Sequence, residues 1–87
     1  MTAKRIGPPP PGIRAVELGE DISLYNPHTQ GAALLNSTAS DVWRLVDGEH
    51  TLEEIVDLLV AVYDADPEVI RRDVRQTIDE LLSAGFL

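Results

Sequence analysis

Between Ser23 and Gly48 the chain reads S-L-Y-N-P-H-T-Q-G-A-A-L-L-N-S-T-A-S-D-V-W-R-L-V-D-G. This run constrains the fold more than any other, because it sets a strand, a tight turn, a second strand and a capped helix in immediate succession. Ile22 and Leu24 alternate with Ser23 and Tyr25, the period of a strand with two different faces. Asn26-Pro27 opens a turn, since proline presets φ at the second position, and Gly31 is expected to close it in a left-handed conformation. The strand that follows, Ala32 to Leu35, is apolar on both faces and lacks the Lys or Pro that blunts an exposed edge. An unguarded strand beside a helix invites a guest strand.

The flanking sequence completes the plan. Ile13 to Leu18 is expected to form a first strand, with Val16 and Leu18 on one face and Arg14 open to water. Asn36 suits an N-cap, and Ala39, Val42, Trp43 and Val46 form a buried stripe at i, i+3, i+4 and i+7 before Asp47-Gly48 ends the helix. Trp43 belongs with the core by that spacing and by the area it buries. Thr51 and Glu54 make a capping box for a second helix carrying Leu52, Ile55, Val56, Leu59 and Val62 on one face. Asp66-Pro67 starts a third helix, proline standing where its missing N–H costs nothing. Its inner stripe is Ile70, Val74, Ile78 and Leu81, and Gly85 ends it. The order β-β-β-α-α-α predicts an α+β, winged helix-turn-helix-like domain: a three-stranded antiparallel sheet followed by three helices sharing one core without a large exposed apolar patch. Residues 1–12, with Pro8 to Pro11 in a row, read as a flexible polyproline-type arm outside that core, and residues 13–87 as the domain.

Composition then removes function classes. A net charge of −8, with only seven Lys and Arg, opposes a nucleic-acid partner, which needs a basic face to neutralise phosphates. No apolar run approaches the ~20 residues of a membrane span, and no signal peptide is evident, so a cytoplasmic protein is expected. Cysteine is absent, and His28 and His50 stand in a turn and just before a cap, without metal-ligand spacing. No nucleophile motif or phosphate-binding glycine loop occurs. The carboxylates of Glu53, Glu54, Asp57, Asp64, Asp66 and Glu68 fall on solvent faces and caps, where no shared pocket would split their pKa values. No catalytic residue, metal or cofactor is expected.

The residues also carry a resemblance. The pattern L-x-N-P-x-T-x-G, a short strand, L-N-x-T-A-x-x-V-W and a closing D-G resembles the PqqD-like family, the RiPP recognition elements. In this chain it comprises Leu24, Asn26, Pro27, Thr29, Gly31, Leu35, Asn36, Thr38, Ala39, Val42, Trp43, Asp47 and Gly48, and it continues through Ile55, Asp73, Val74, Leu81, Leu82 and Gly85. The resemblance covers Ile13 to Leu87. It implies a peptide chaperone that holds the leader of a ribosomally made precursor and presents the precursor to a modifying enzyme. That enzyme would be a radical-SAM enzyme or cyclase, or a leader peptidase as in lasso-peptide pathways. The leader would add as a strand beside Ala32, Ala33, Leu34 and Leu35, in the groove with the helix Pro67 to Ala84.

Which flank of that helix faces the groove is a separate question. Arg71, Arg75, Ile78 and Leu82 lie along one side of the inner stripe, and Val69, Asp73, Thr77 and Glu80 along the other. The first flank, with Val74, is the expected wall, because it joins apolar surface to two cations able to meet leader carboxylates. Two other readings stand beside this one. An acidic carrier protein would need a serine for a pantetheine arm, and Asp21-Ile22-Ser23-Leu24 has an extra residue and lies in a strand. A winged-helix DNA binder follows from fold alone, which does not fix function. The open edge is also able to pair two copies of the chain.

Overall fold

The computed structural model describes residues 4–87. Three strands, β1 (Arg14–Leu18), β2 (Asp21–Asn26) and β3 (Gly31–Leu35), precede three helices, α1 (Ser37–Leu45), α2 (Leu52–Tyr63) and α3 (Pro67–Ser83). The sheet is an antiparallel meander in the order β1-β2-β3. Together they make the winged-helix-like α+β arrangement that the sequence predicts.

Local chemistry explains the boundaries. β1 and β2 join through the two-residue turn Gly19-Glu20, where Gly19 takes a φ of +67°, a conformation costing glycine little. In the next turn Asn26 Oδ1 accepts the His28 N–H at 2.9 Å and Thr29 Oγ1 accepts the Gly31 N–H at 3.1 Å. The left-handed residue of this turn is Gln30, at φ 61°, and not Gly31 as expected. Gly31 has already entered β3, opposite Asn26.

The helix starts follow their caps. Asn36 accepts from the Ala39 N–H, and Thr51 and Glu54 complete the reciprocal capping box of α2. Asp66 caps α3 with Pro67 in its first turn. Gly85, at φ +84°, follows the end of α3, and the Phe86 N–H then bonds to the Leu81 carbonyl. That closure turns Phe86 back under the sheet.

The core has two parts. Val42, Val46, Ile55, Val56, Leu59, Ile70, Val74 and Ile78 pack where the three helices meet. Ile22, Leu24, Leu35, Leu81 and Phe86 join the inner face of the sheet to the end of α3. Half-buried Trp43 and Leu87 touch both clusters and make them continuous. Ser40, fully buried, donates to the Leu35 carbonyl at 3.1 Å and pins α1 to β3.

Three expectations change. Val16 and Leu18 lie on the outer face of the sheet together with Arg14, because their partners are Ser23, Asp21 and Tyr25, while Ile22 and Leu24 turn inward. With Tyr25 and Leu34 they leave an exposed apolar face that a fully shared core would not have. Val62, placed on the inner stripe of α2 from its spacing, is 71% exposed, since it lines a surface hollow with Arg44 and Leu58 where the helix is about to end, outside the core. Residues 5–8 lie against the body. The Ile6 N–H donates to His50 and the Gly48 N–H to Ile6, both at 2.8 Å, and the Ile6 side chain packs on the helical core.

Candidate functional site: the free edge of β3 and its helical wall

A three-stranded sheet has two edges, and they differ here. Every residue of β1 is exposed, but that strand carries Arg14 and Glu17. The Glu17 carboxylate accepts both the Nε and Nη2 hydrogens of Arg44 on α1, at 2.8–3.1 Å. Those hydrogen bonds hold the Glu17 carboxyl below the usual carboxylate range. Charges of this kind protect an edge. β3, by contrast, is Gly-Ala-Ala-Leu-Leu with no charge, and among the described residues it pairs only with β2. Its other side has no strand partner among these residues and presents peptide N–H and C=O groups to a guest, the Leu35 carbonyl excepted, which accepts from Ser40.

Register divides the β3 side chains. Ala33 and Leu35 oppose Leu24 and Ile22, so they point inward, and Leu35 is buried. Ala32 and Leu34 oppose Tyr25 and Ser23 and point outward, Leu34 being 67% exposed.

α3 accompanies β3 at both ends. At the start of the strand, a Cβ on Gly31 would sit 3.9 Å from the Ala84 carbonyl oxygen, and Asn26 Nδ2 donates to the Gly85 carbonyl at 2.9 Å. Asn36, just past the strand's far end, shares a cleft of about 420 Å³ with Thr38 and Ala39 of α1 and Asp73, Gln76, Thr77 and Glu80 of α3. The helix therefore runs antiparallel to β3, and the flank it turns toward this cleft is that of Asp73, Thr77 and Glu80.

The flank favoured from sequence lies elsewhere. Arg71 donates to Glu53 on α2 at 2.8 and 3.1 Å and to Glu68 at 2.6 Å. These bonds raise the Arg71 pKa and lower that of Glu53, and they turn Arg71 to α2. Ile78 and Leu82 border a second cavity, about 260 Å³, with Lys4 to Pro8 and Leu87. Val74 is fully buried in the helical core. Arg75 lines a shallow hollow on the outer surface of α3 with Arg72 and Asp79. Among the expected contacts, then, the structure gathers Ala32 to Leu35 on one edge and disperses Arg71, Val74, Arg75, Ile78 and Leu82. Asp73, Thr77 and Glu80 stand in their place, together with Asn36 and Thr38. No sequence signal separates the two flanks, which border the inner stripe symmetrically; only the roll of α3 against α2 and the sheet does.

Among the described residues, no group of three or more His, Asp or Glu side chains comes together as a metal site. No helix among the described residues is long and apolar enough to cross a membrane.

Residues 22–87 match the profile of Coenzyme PQQ synthesis protein D (PqqD). The chain belongs to the PqqD family. The matched span begins at β2 and contains β3, all three helices and Phe86, so the whole of the edge and its wall lies within it. A PqqA binding protein of Methylococcus capsulatus is 38% identical over 60 residues, 69% of this chain and 62% of that protein. The chain thus aligns with somewhat less than two thirds of that curated relative. Among solved structures, TbiB1 in complex with the TbiA(beta) leader peptide has the same fold, with a TM-score of 0.81 at 24% identity, covering 95% of this chain and 93% of that one.

Proposed function

We propose that this PqqD-family chain is a peptide-binding module that takes the leader of a ribosomally made precursor as a fourth strand on β3 and hands the precursor to a modifying enzyme. The observation that carries this reading is the uncharged, singly paired β3, bordered by α3, in a sheet whose other edge is guarded by charge. Strand addition draws its affinity from main-chain hydrogen bonds and its selectivity from alternate side chains. Ala32 and Ala33 leave room for bulkier guest side chains beside them. A relative that is a PqqA binding protein, and a fold shared with a protein solved in complex with a leader peptide, support the same reading. The chain contributes binding, and the chemistry belongs to the enzyme it serves, of the radical-SAM, cyclase or leader-peptidase class.

The test is an amide-shift titration of the isotope-labelled chain with the leader of a precursor encoded beside its gene, and with PqqA. Saturable shifts are expected for Ala32 to Leu35 and for α3 from Asp73 to Ala84. Unmoved β3 amides at saturating leader would sink the proposal.

A further inference from the structure

A strand laid beside β3 inherits its alternation, one set of side chains pointing outward and the other inward. Outward guest side chains fall beside Ala32 and Leu34, on a face that also exposes Tyr25 and Val16; Leu34, Tyr25 and Val16 are 67%, 39% and 55% exposed, and Arg14 stands on the far strand, so the part of this face next to β3 is largely apolar. Inward ones fall beyond Ala33 and Leu35, toward the cleft between the start of α1 and α3. That cleft is polar, with two carboxylates, Asp73 and Glu80, beside Asn36, Thr38, Gln76 and Thr77, and no Lys or Arg lines it.

From this we infer, resting on the strand-addition reading, that the guest is an amphipathic strand of a particular kind. Its outward positions are apolar, and at least one inward position is a Lys or Arg that meets Asp73 or Glu80, which lie about two turns apart on α3. An apolar side chain placed inward would strip water from the two carboxylates without pairing them, and an acidic one would add repulsion. A cation instead forms charge-assisted hydrogen bonds. The present partners of these carboxylates are weak or neutral. Arg72 Nε stands 3.7 Å from Asp73 Oδ1 with its own side chain 72% exposed, a pair of little worth. Glu80 accepts a neutral amide hydrogen from Gln76 at 3.2 Å. The sequence alone favours the opposite polarity, arginines on α3 meeting leader carboxylates, but Arg71 is engaged with α2 and the α3 flank lining the cleft at Asn36, just past β3, is acidic.

The experiment uses two synthetic peptides of equal length, one alternating valine with lysine and one alternating valine with glutamate. Each is titrated against the native chain, against the double variant Asp73→Asn/Glu80→Gln, and against Glu49→Gln/Asp57→Asn. Both variants remove two of the carboxylates behind the net charge of −8, and Glu49 and Asp57 lie outside the cleft. The lysine peptide should move the β3 amides and bind the native chain at least about tenfold tighter than the glutamate peptide, with that advantage lost in the cleft variant and retained in the control. An equal loss in both variants would reduce the preference to overall charge and overturn the inference, as would no preference between the peptides. If neither peptide moves β3 while the natural leader does, the charge pattern is wrong and strand addition stands. If the leader also leaves β3 unmoved, both fall.

Discussion

Asn26 shows how much rests on one polar side chain at the hinge between sheet and helices. It is 5% exposed, its amide donates to the Gly85 carbonyl, and its Oδ1 accepts the His28 N–H. It therefore closes the β2–β3 turn and ties that turn to the end of α3, which fixes the near end of the β3–α3 groove. Asn26→Ala would remove both bonds and leave the Gly85 carbonyl unpaired, costing about 1–3 kcal/mol. Urea denaturation should show a lower midpoint with an unchanged slope. Ile6 is the second informative residue. Its backbone joins the loop between α1 and α2 and its side chain covers part of the helical core, so Ile6→Ser should lower stability by about 1 kcal/mol. A side chain on a free arm would leave the midpoint unmoved.

Among the elements, α2 is the one whose start is most fully specified. The Glu54 carboxylate accepts the Thr51 N–H at 2.9 Å, while Thr51 Oγ1 accepts the Glu54 N–H at 3.2 Å. Thr51→Ala should cost about 1 kcal/mol. The bond from the Thr51 backbone holds the Glu54 carboxyl below its ordinary value of 4.5, and Arg71 does the same to Glu53. For a carboxyl whose folded pKa is depressed, the stabilisation is present above the unfolded pKa and is lost as pH falls through the folded one. Thermal melts should therefore show a midpoint that declines as pH drops below about 4.5. In Glu54→Gln, which removes one of these titrating carboxyls, the decline should be shallower. β3 is the complementary case. Its composition is nearly featureless, and that is its significance: with no charge and no proline, nothing in it opposes a guest.

For the whole molecule, the sheet is held to the helices by a small second core that Phe86 completes. That ring is 1% exposed against Ile22, Leu24, Leu35 and Leu81, next to the chain's last residue. Phe86→Ala should cost about 3–5 kcal/mol, a large share of the ~5–15 kcal/mol that stabilises a typical domain. Hydrogen exchange should locate the damage, with β2 and β3 losing protection ahead of α2. If α2 opened equally early, the two clusters would act as one unit.

Most of the fold was legible before any tertiary contact was known. Caps at Asn36, Thr51 and Asp66 and the change of period after Leu35 act within a turn or two of chain, so they are written locally, as is the absence of guarding charge on β3. Two features were not legible, and both depend on distant partners. The segment around Ile6 reads as a polyproline arm until Gly48 and His50 supply its hydrogen bonds. α3 presents an apolar stripe with a flank on each side, and periodicity cannot say which flank meets which neighbour. That choice was made when Arg71 found Glu53 on α2 and Ala84 came under Gly31. The sequence by itself determined that this chain has an open strand beside a helix. The tertiary structure alone decided that the helix shows the strand Asp73, Thr77 and Glu80, because the roll of a helix is fixed by the sum of packing on all its sides.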